Sequence, residues 1–162
     1  MKVSVLVDNN DGAGLKGEWG LSFYIEYADK TVLLDAGLSP LFAVNAEKMG
    51  IDLNKVDLAV LSHAHDDHAN GMDTFFELNS RAPLYVADGC EENCYDFENG
   101  SYRYAGIPRG ILSRHRDRII RACNSGLLCW NNDAIYCLTK KRERKVRVIW
   151  IGSKVIVTSL SL

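Results

Sequence analysis

The sequence predicts a mixed α/β (α+β) domain with helices packed on the faces of a sheet. Three observations carry that expectation. Up to residue 88 the chain reads strand, hairpin, helix, buried strand, helix, strand. The helix over 39–50 is punctuated at both ends, with Ser39 as N-cap, Pro40 at the first helical position and Gly50 at the stop. The run VDLAVLSH, residues 56–63, is apolar until its last two positions apart from Asp57 near its start, as in a strand covered on both faces.

KVSVLVDN, residues 2–9, is β-branched and reads as a buried strand ended by Asp8, Asn9 and Asn10. DGAGLKGEWG holds four glycines and must be a loop. LSFYIEYA, residues 21–28, alternates, with Leu21, Phe23, Ile25 and Tyr27 on one face of a half-buried strand. Asp29 and Lys30 form a tight turn into the return strand TVLLDAG. Leu41, Phe42, Val44, Ala46 and Met49 give the first helix an apolar stripe. GMDTFFELNS reads as a short helix, APLYVAD (82–88) as a strand and PRGILSRHRDR (108–118) as a helix. KVRVIWIGSKVIVTSLSL (145–162) reads as a hairpin turned at Gly152 and Ser153.

LSHAHDDHAN places His63, His65 and His68 within six positions, with Asp66 and Asp67 between them. A loop leaving a buried strand holds its side chains rigidly at the sheet edge. His63 and His65, two apart in extended chain, point the same way and can grip one metal ion. Asp67 and His68 can offer a carboxylate and an imidazole to a second. Two ions about 3.5–4 Å apart can share a bridging hydroxide and polarise the oxygen of a substrate. The mixed nitrogen and oxygen donors suit two zinc ions, with iron or manganese also compatible.

SHAHDDHANGM resembles the metal-binding signature of the metallo-β-lactamase superfamily. The segments NNDGAGLKGEWGLSFYIE, LLDAGLSPLFAVNAEKMGIDLNKVDLAVLSHAHDDHANG and YRYAGIP are similar to the subgroup described as dihydropterin ribofuranosyl-aminobenzene phosphate synthases. The resemblance covers residues 1–121, with its strong motifs in 1–72. It implies a four-layer αββα sandwich with a dinuclear site at the edge of the sheets, of which this chain completes the N-terminal half. It assigns His63 and His65 to the first metal, and Asp67 and His68 to the second. Asp35 matches the aspartate that supports the metal loop from behind. Asp66 falls at a variable position. Asp8, Glu18 and Trp19 lie in segments that resemble loops near the cleft, with structural roles for each equally in view. The implied reaction is attack of metal-bound hydroxide on an ester, amide or phosphoester, with Asp67 orienting the hydroxide.

The family pattern also calls for later ligands: a third histidine, a bridging aspartate and a final histidine. After His68 the chain has one more histidine, His115, read as the exposed face of a basic helix, and Asp133, the one acidic residue between Asp117 and Glu143, is framed by no glycine motif. Weak metal binding and low turnover are therefore expected of this chain. Residues 122–162 resemble nothing in the family and read as an atypical basic segment, a strand pair or an unrelated tail after a truncation.

Composition narrows the classes further. Apolar residues make up 47% and charged residues 25%, an ordinary soluble balance. No apolar run is long enough to span a bilayer, and the N-terminus does not read as a signal peptide. Five cysteines (Cys90, Cys94, Cys123, Cys129, Cys137) at irregular spacing read as reduced thiols of a cytoplasmic protein, with Cys90-x3-Cys94 a weak metal motif. Residues 1–100 carry 6 basic and 18 acidic side chains, net −12, and residues 101–162 carry 13 and 3, net +10. The run KKRERKVR reads as a solvated hairpin face rather than a nucleic-acid grip. A small-molecule substrate is expected, with no membrane partner and self-association left open. A nucleic-acid-processing nuclease of the same superfamily and a non-catalytic binding module stand as the alternatives.

Overall fold

A computed structural model of the chain describes residues 1–87 and 89–121, together with the strands 135–138, 145–151 and 154–160. The strands β1 (Lys2–Val7), β2 (Ser22–Tyr27) and β3 (Lys30–Leu34) form an antiparallel meander. The helix α1 (Leu41–Lys48) and a 3-10 turn (Leu53–Lys55) lead into β4 (Leu58–Val60). The one-turn α2 (Asp66–Ala69) and α3 (Met72–Leu78) follow, and β5 (Leu84–Val86) returns to the sheet. A two-stranded ribbon, β6 (Tyr95–Glu98) and β7 (Ser101–Tyr104), precedes α4 (Ile111–Arg114) and β8 (Ile119–Arg121). The main sheet has the order β1-β2-β3-β4-β5-β8, and β3, β4, β5 and β8 run parallel.

Strand alternation gives this sheet two apolar faces. One face joins Tyr24, Leu33, Ala59 and Leu84 to Phe42 of α1 and Phe75 of α3 in the main core. The other carries Ile25, Val32, Leu34 and Val60, all nearly inaccessible. A buried phenylalanine contributes roughly 1.5–3 kcal/mol through the area it removes from water. Phe42 and Phe75 are both fully buried, so they anchor the two helices that flank the site.

The mixed α/β class stands as expected, and β4 is a central, buried strand. Several local readings need correction. β1 is an edge strand, and its Val3 and Val5 are 47% and 42% exposed, because only one of its faces meets the helices. In β2, Tyr24 packs in the main core while Ile25 packs on the opposite face, since neighbours on both sides make the strand two-sided. The turn of the first hairpin falls at Ala28 and Asp29, with Tyr27 opposite Lys30.

α1 begins one residue later than Ser39-Pro40 suggested, with the Ser39 hydroxyl accepting from the Leu41 N–H at 3.2 Å. Gly50 does end it, at φ +69. The helix over 108–118 is only α4. After it, the Arg118 guanidinium donates to the Ala82 carbonyl at 2.7 and 3.0 Å, and residues 119–121 join the sheet beside β5 as an unforeseen strand. In the C-terminal segment β9 (Ile135–Leu138), β10 (Lys145–Ile151) and β11 (Lys154–Leu160) form a separate antiparallel sheet. The expected hairpin is present as β10 and β11, with Ile151 opposite Lys154; its turn residues 152–153 lie outside the described residues, as does Asp133.

Candidate metal centre

β3 and β4 are parallel neighbours, so their C-terminal ends lie side by side. That edge is where open α/β sheets place their sites. Asp35 ends β3 with φ +58, a left-handed conformation that aspartate tolerates better than most residues. Its N–H donates to the Val60 carbonyl at 2.9 Å, tying the two strand ends together. Its carboxylate is 1% exposed and accepts three hydrogen bonds, from the Ser62 N–H (2.7 Å), the Ser62 hydroxyl (2.7 Å) and His68 Nδ1 (2.8 Å).

Those bonds settle the imidazole tautomers. A carboxylate only accepts, so His68 carries a proton on Nδ1, and its neutral form has the lone pair on Nε2. The Ser62 hydroxyl has one hydrogen, and Asp35 takes it. The hydroxyl lone pair then accepts from His63 Nδ1 at 2.9 Å, which leaves His63 Nε2 as the acceptor nitrogen. One buried carboxylate thus orients two rings, directly at His68 and through Ser62 at His63. Such support fixes the tautomer of metal-binding histidines and raises their basicity.

The result is a cluster of His63, Asp67 and His68 whose ligand atoms all lie within 4.8 Å of one another. It is the one group of three such residues among the described residues. His68 Nε2 stands 3.6 Å from Asp67 Oδ2. His65 lies outside this group. Its ring sits edge-on to that of His63, 4.8 Å between centroids, so the two point to the same side as their spacing suggested. The grouping differs from a pair of two-residue grips: His63, Asp67 and His68 bring one candidate donor each within 4.8 Å of one another, and the ring of His65 lies beside that of His63.

Burial pushes His63 down to about 4, with the neighbouring His68 adding to the effect. At His68 burial also opposes the charged form, yet the hydrogen bond and charge of Asp35, with Asp67 behind it, outweigh burial and hold it above the ordinary histidine range.

Backbone contacts lock the loop in place. The Asp66 N–H donates to the Ala105 carbonyl at 3.0 Å, and the Ile107 N–H to the Ala64 carbonyl at 2.8 Å. Gly20, at φ +136, lies so close that a β-carbon there would sit 2.1 Å from the Asp67 carbonyl oxygen. Asp66, at a variable position of the signature, accepts from the Asp67 N–H at 2.9 Å and pairs with Arg103 at 2.9 Å. Arg103 also reaches Asp96 at 2.6 Å. A cleft of about 360 Å³ opens beside the cluster, bordered by Trp19, Leu38, His65, Asp66, Asp67, Asp96, Arg103 and Ala105.

Of the loop residues near the cleft, Trp19 borders it and is 69% exposed. Glu18 instead accepts from the Leu38 and Ser39 N–H groups and the Ser39 hydroxyl, which fixes the entry to α1. Asp8 accepts from the Asn10 N–H and closes a turn. His115 stacks on Phe76 at 4.0 Å, away from the cluster, and Cys90 and Cys94 are free thiols outside it. Sequence reasoning missed Ser62, Gly20 and the Asp66–Arg103–Asp96 link. Only Ser62 left a signal, as a small polar residue closing an apolar strand.

Comparisons with known proteins place this geometry. The family model of the metallo-beta-lactamase superfamily matches residues 19–141. A curated relative, the anaerobic nitric oxide reductase flavorubredoxin of Aliivibrio salmonicida, is 32% identical over 103 residues, 60% of this chain and 20% of its own length. Its counterpart in Aliivibrio fischeri matches at the same identity and coverage. Among solved structures, MEM-A1, a subclass B3 metallo-beta-lactamase from a soil metagenome library, aligns with a TM-score of 0.50 at 16% identity, over 86% of this chain and 55% of that one. The Rm3 metallo-beta-lactamase aligns at 0.51 and 15%, over 86% and 54%. The chain thus spans about a fifth of the curated relatives it matches and about half of these solved structures. With its family model matched over most of its length and its sheet and helices matching those folds, the chain belongs to the metallo-beta-lactamase superfamily.

Proposed function

We propose that this chain holds a divalent cation, zinc first, on His63 Nε2, His68 Nε2 and the Asp67 carboxylate, and serves the hydrolysis of an ester, amide or phosphoester. The observation that carries the reading is the double hold of Asp35 on the two imidazoles. The donor set fits: two neutral nitrogens and one carboxylate within 4.8 Å match the three protein ligands of a catalytic zinc with an open fourth position. When bound, such a cation supplies Lewis acidity and brings the pKa of water toward neutrality.

The chain's own residues do the rest. Asp35 keeps both Nε2 lone pairs aimed at one point. His63, held near 4, presents its lone pair throughout the neutral range. Asp67 both joins the cluster and borders the cleft, so it can orient water or substrate by a hydrogen bond. The motif segments within residues 1–72 support descent near the dihydropterin ribofuranosyl-aminobenzene phosphate synthase-like subgroup. Nitric oxide reduction, named for relatives about three times as long, is not carried over. Free Cys90 and Cys94 are in keeping with a reducing, cytoplasmic setting.

Calorimetric zinc titration of the purified chain, with elemental analysis, tests the reading. One zinc per chain is expected, lost in His63→Ala. No binding by a folded chain would refute it, and two tight ions would restore the dinuclear arrangement.

A further inference from the structure

The cleft beside the cluster has a charge pattern that selects among hydrolysable groups. Asp67 is given to the cation, and two further carboxylates, Asp66 and Asp96, border the cleft with a single guanidinium, Arg103. Arg103 is committed at both ends, to Asp66 Oδ2 at 2.9 Å through Nη1 and to Asp96 Oδ2 at 2.6 Å through Nη2. Recognition of phosphate relies on arginine or lysine donors turned toward its oxygens. Here a phosphate would have to share Arg103 with two carboxylates and sit beside both. Trp19, 69% exposed at the lip with Leu38 beside it, offers the opposite chemistry. An indole face in a wet cleft favours planar, uncharged or cationic groups.

We propose that the cleft takes an uncharged ester or amide bearing a planar group stacked on Trp19, and that the Asp66–Arg103–Asp96 link is what turns phosphate-bearing substrates away. The inference rests on the proposed function, in which this cleft leads to the cation position. It narrows that reading from three substrate classes to two.

The test uses two probes that share one ring, phenylacetamide and phenyl phosphate, titrated into the zinc-free chain and followed by the broadening of the probes' own ring-proton signals, which reads every variant; the Trp19 indole N–H signal locates the site in the wild-type chain and in Asp96→Asn. Working without zinc separates this outcome from the zinc titration above, because phosphate oxygens bind zinc directly. Phenylacetamide is expected to bind at least tenfold more tightly than phenyl phosphate. Trp19→Ala should weaken phenylacetamide at least fivefold, and Trp19→Phe should restore most of it. Asp96→Asn removes one anion and loosens Arg103, so it should strengthen phenyl phosphate about tenfold and leave phenylacetamide within twofold. The inference is overturned if phenyl phosphate binds the wild-type chain as tightly as the amide, if neither probe binds, or if Asp96→Asn leaves the preference unchanged. A chain that binds zinc yet prefers phenyl phosphate keeps the proposed function and loses this inference.

Discussion

The cleft has two walls built on different principles. The loop from Ser62 to His68 is held by buried, charge-assisted hydrogen bonds converging on Asp35, which is 1% exposed. The β6–β7 ribbon opposite is held by ion pairs of Arg103, whose side chain is half exposed, and by a few backbone bonds. Buried bonds of this kind are costly to break, because the partner is left unsatisfied away from water. Exposed pairs are each worth about 0–1 kcal/mol. The molecule therefore holds the loop that carries His63, Asp67 and His68 firmly, and leaves the ribbon wall of the cleft weakly tied. The same contrast predicts that perturbing the first wall changes metal binding and stability, and perturbing the second changes selectivity.

The largest effect should come from Asp35→Ala. It frees both imidazoles to rotate and leaves the Ser62 N–H buried without its acceptor. Zinc affinity should fall roughly 10–100-fold, and stability by about 3 kcal/mol, read by calorimetry and urea unfolding. An unchanged affinity in a folded variant would show that the rings need no support. Gly20→Ala comes next, since its new methyl collides with the Asp67 carbonyl at a φ that alanine resists. A loss of roughly 3 kcal/mol is expected in urea unfolding, where a loss under 1 kcal/mol would mean the loop yields freely.

Protons sharpen the same wall. A proton on His68 competes with zinc, and its pKa is raised, so zinc affinity should already be falling at pH 6.5, by on the order of tenfold per unit below that pKa. His63, held near 4, adds no competition until far lower pH. Without metal the two act oppositely on stability. His63 contributes stability at and above pH 6.5 that is lost as pH falls toward 4. His68 contributes stability below 6.5 that is lost as pH rises through its folded value. Zinc titrations from pH 5 to 8 would contradict this if affinity were flat above pH 5. The smallest effect is Arg103→Ala, which should cost within about 1 kcal/mol and leave zinc affinity within threefold. A larger loss of either would mean the ribbon helps to shape the metal loop.

Much of the site was legible because its determinants are local. Strand, histidine spacing and loop follow one another in the chain, so His63, Asp67 and His68 could be named as candidates alongside His65, though in other pairings, with Asp35 added by the family resemblance. What spacing could not show was how three dimensions would divide the donors. Two residues apart in extended chain brings His63 and His65 to one side, but the one-turn α2 swings Asp67 and His68 back onto His63 instead. Burial was misread in β1 and β2 because alternation alone does not tell which strand will be an edge. The Arg103 link joins residues 37 apart across two elements, and no local pattern announces such a pair.

The central claim is that Asp35 sets both rings with Nδ1 protonated and Nε2 facing the cation. Nitrogen-15 imidazole shifts of the chain with and without one equivalent of zinc test it most directly. Before zinc, at a pH high enough to leave His68 neutral, Nδ1–H tautomers are expected at His63 and His68, with a zinc-induced shift at Nε2 of both. Coordination through Nδ1, or a His63 or His68 ring that zinc leaves unmoved, would contradict it.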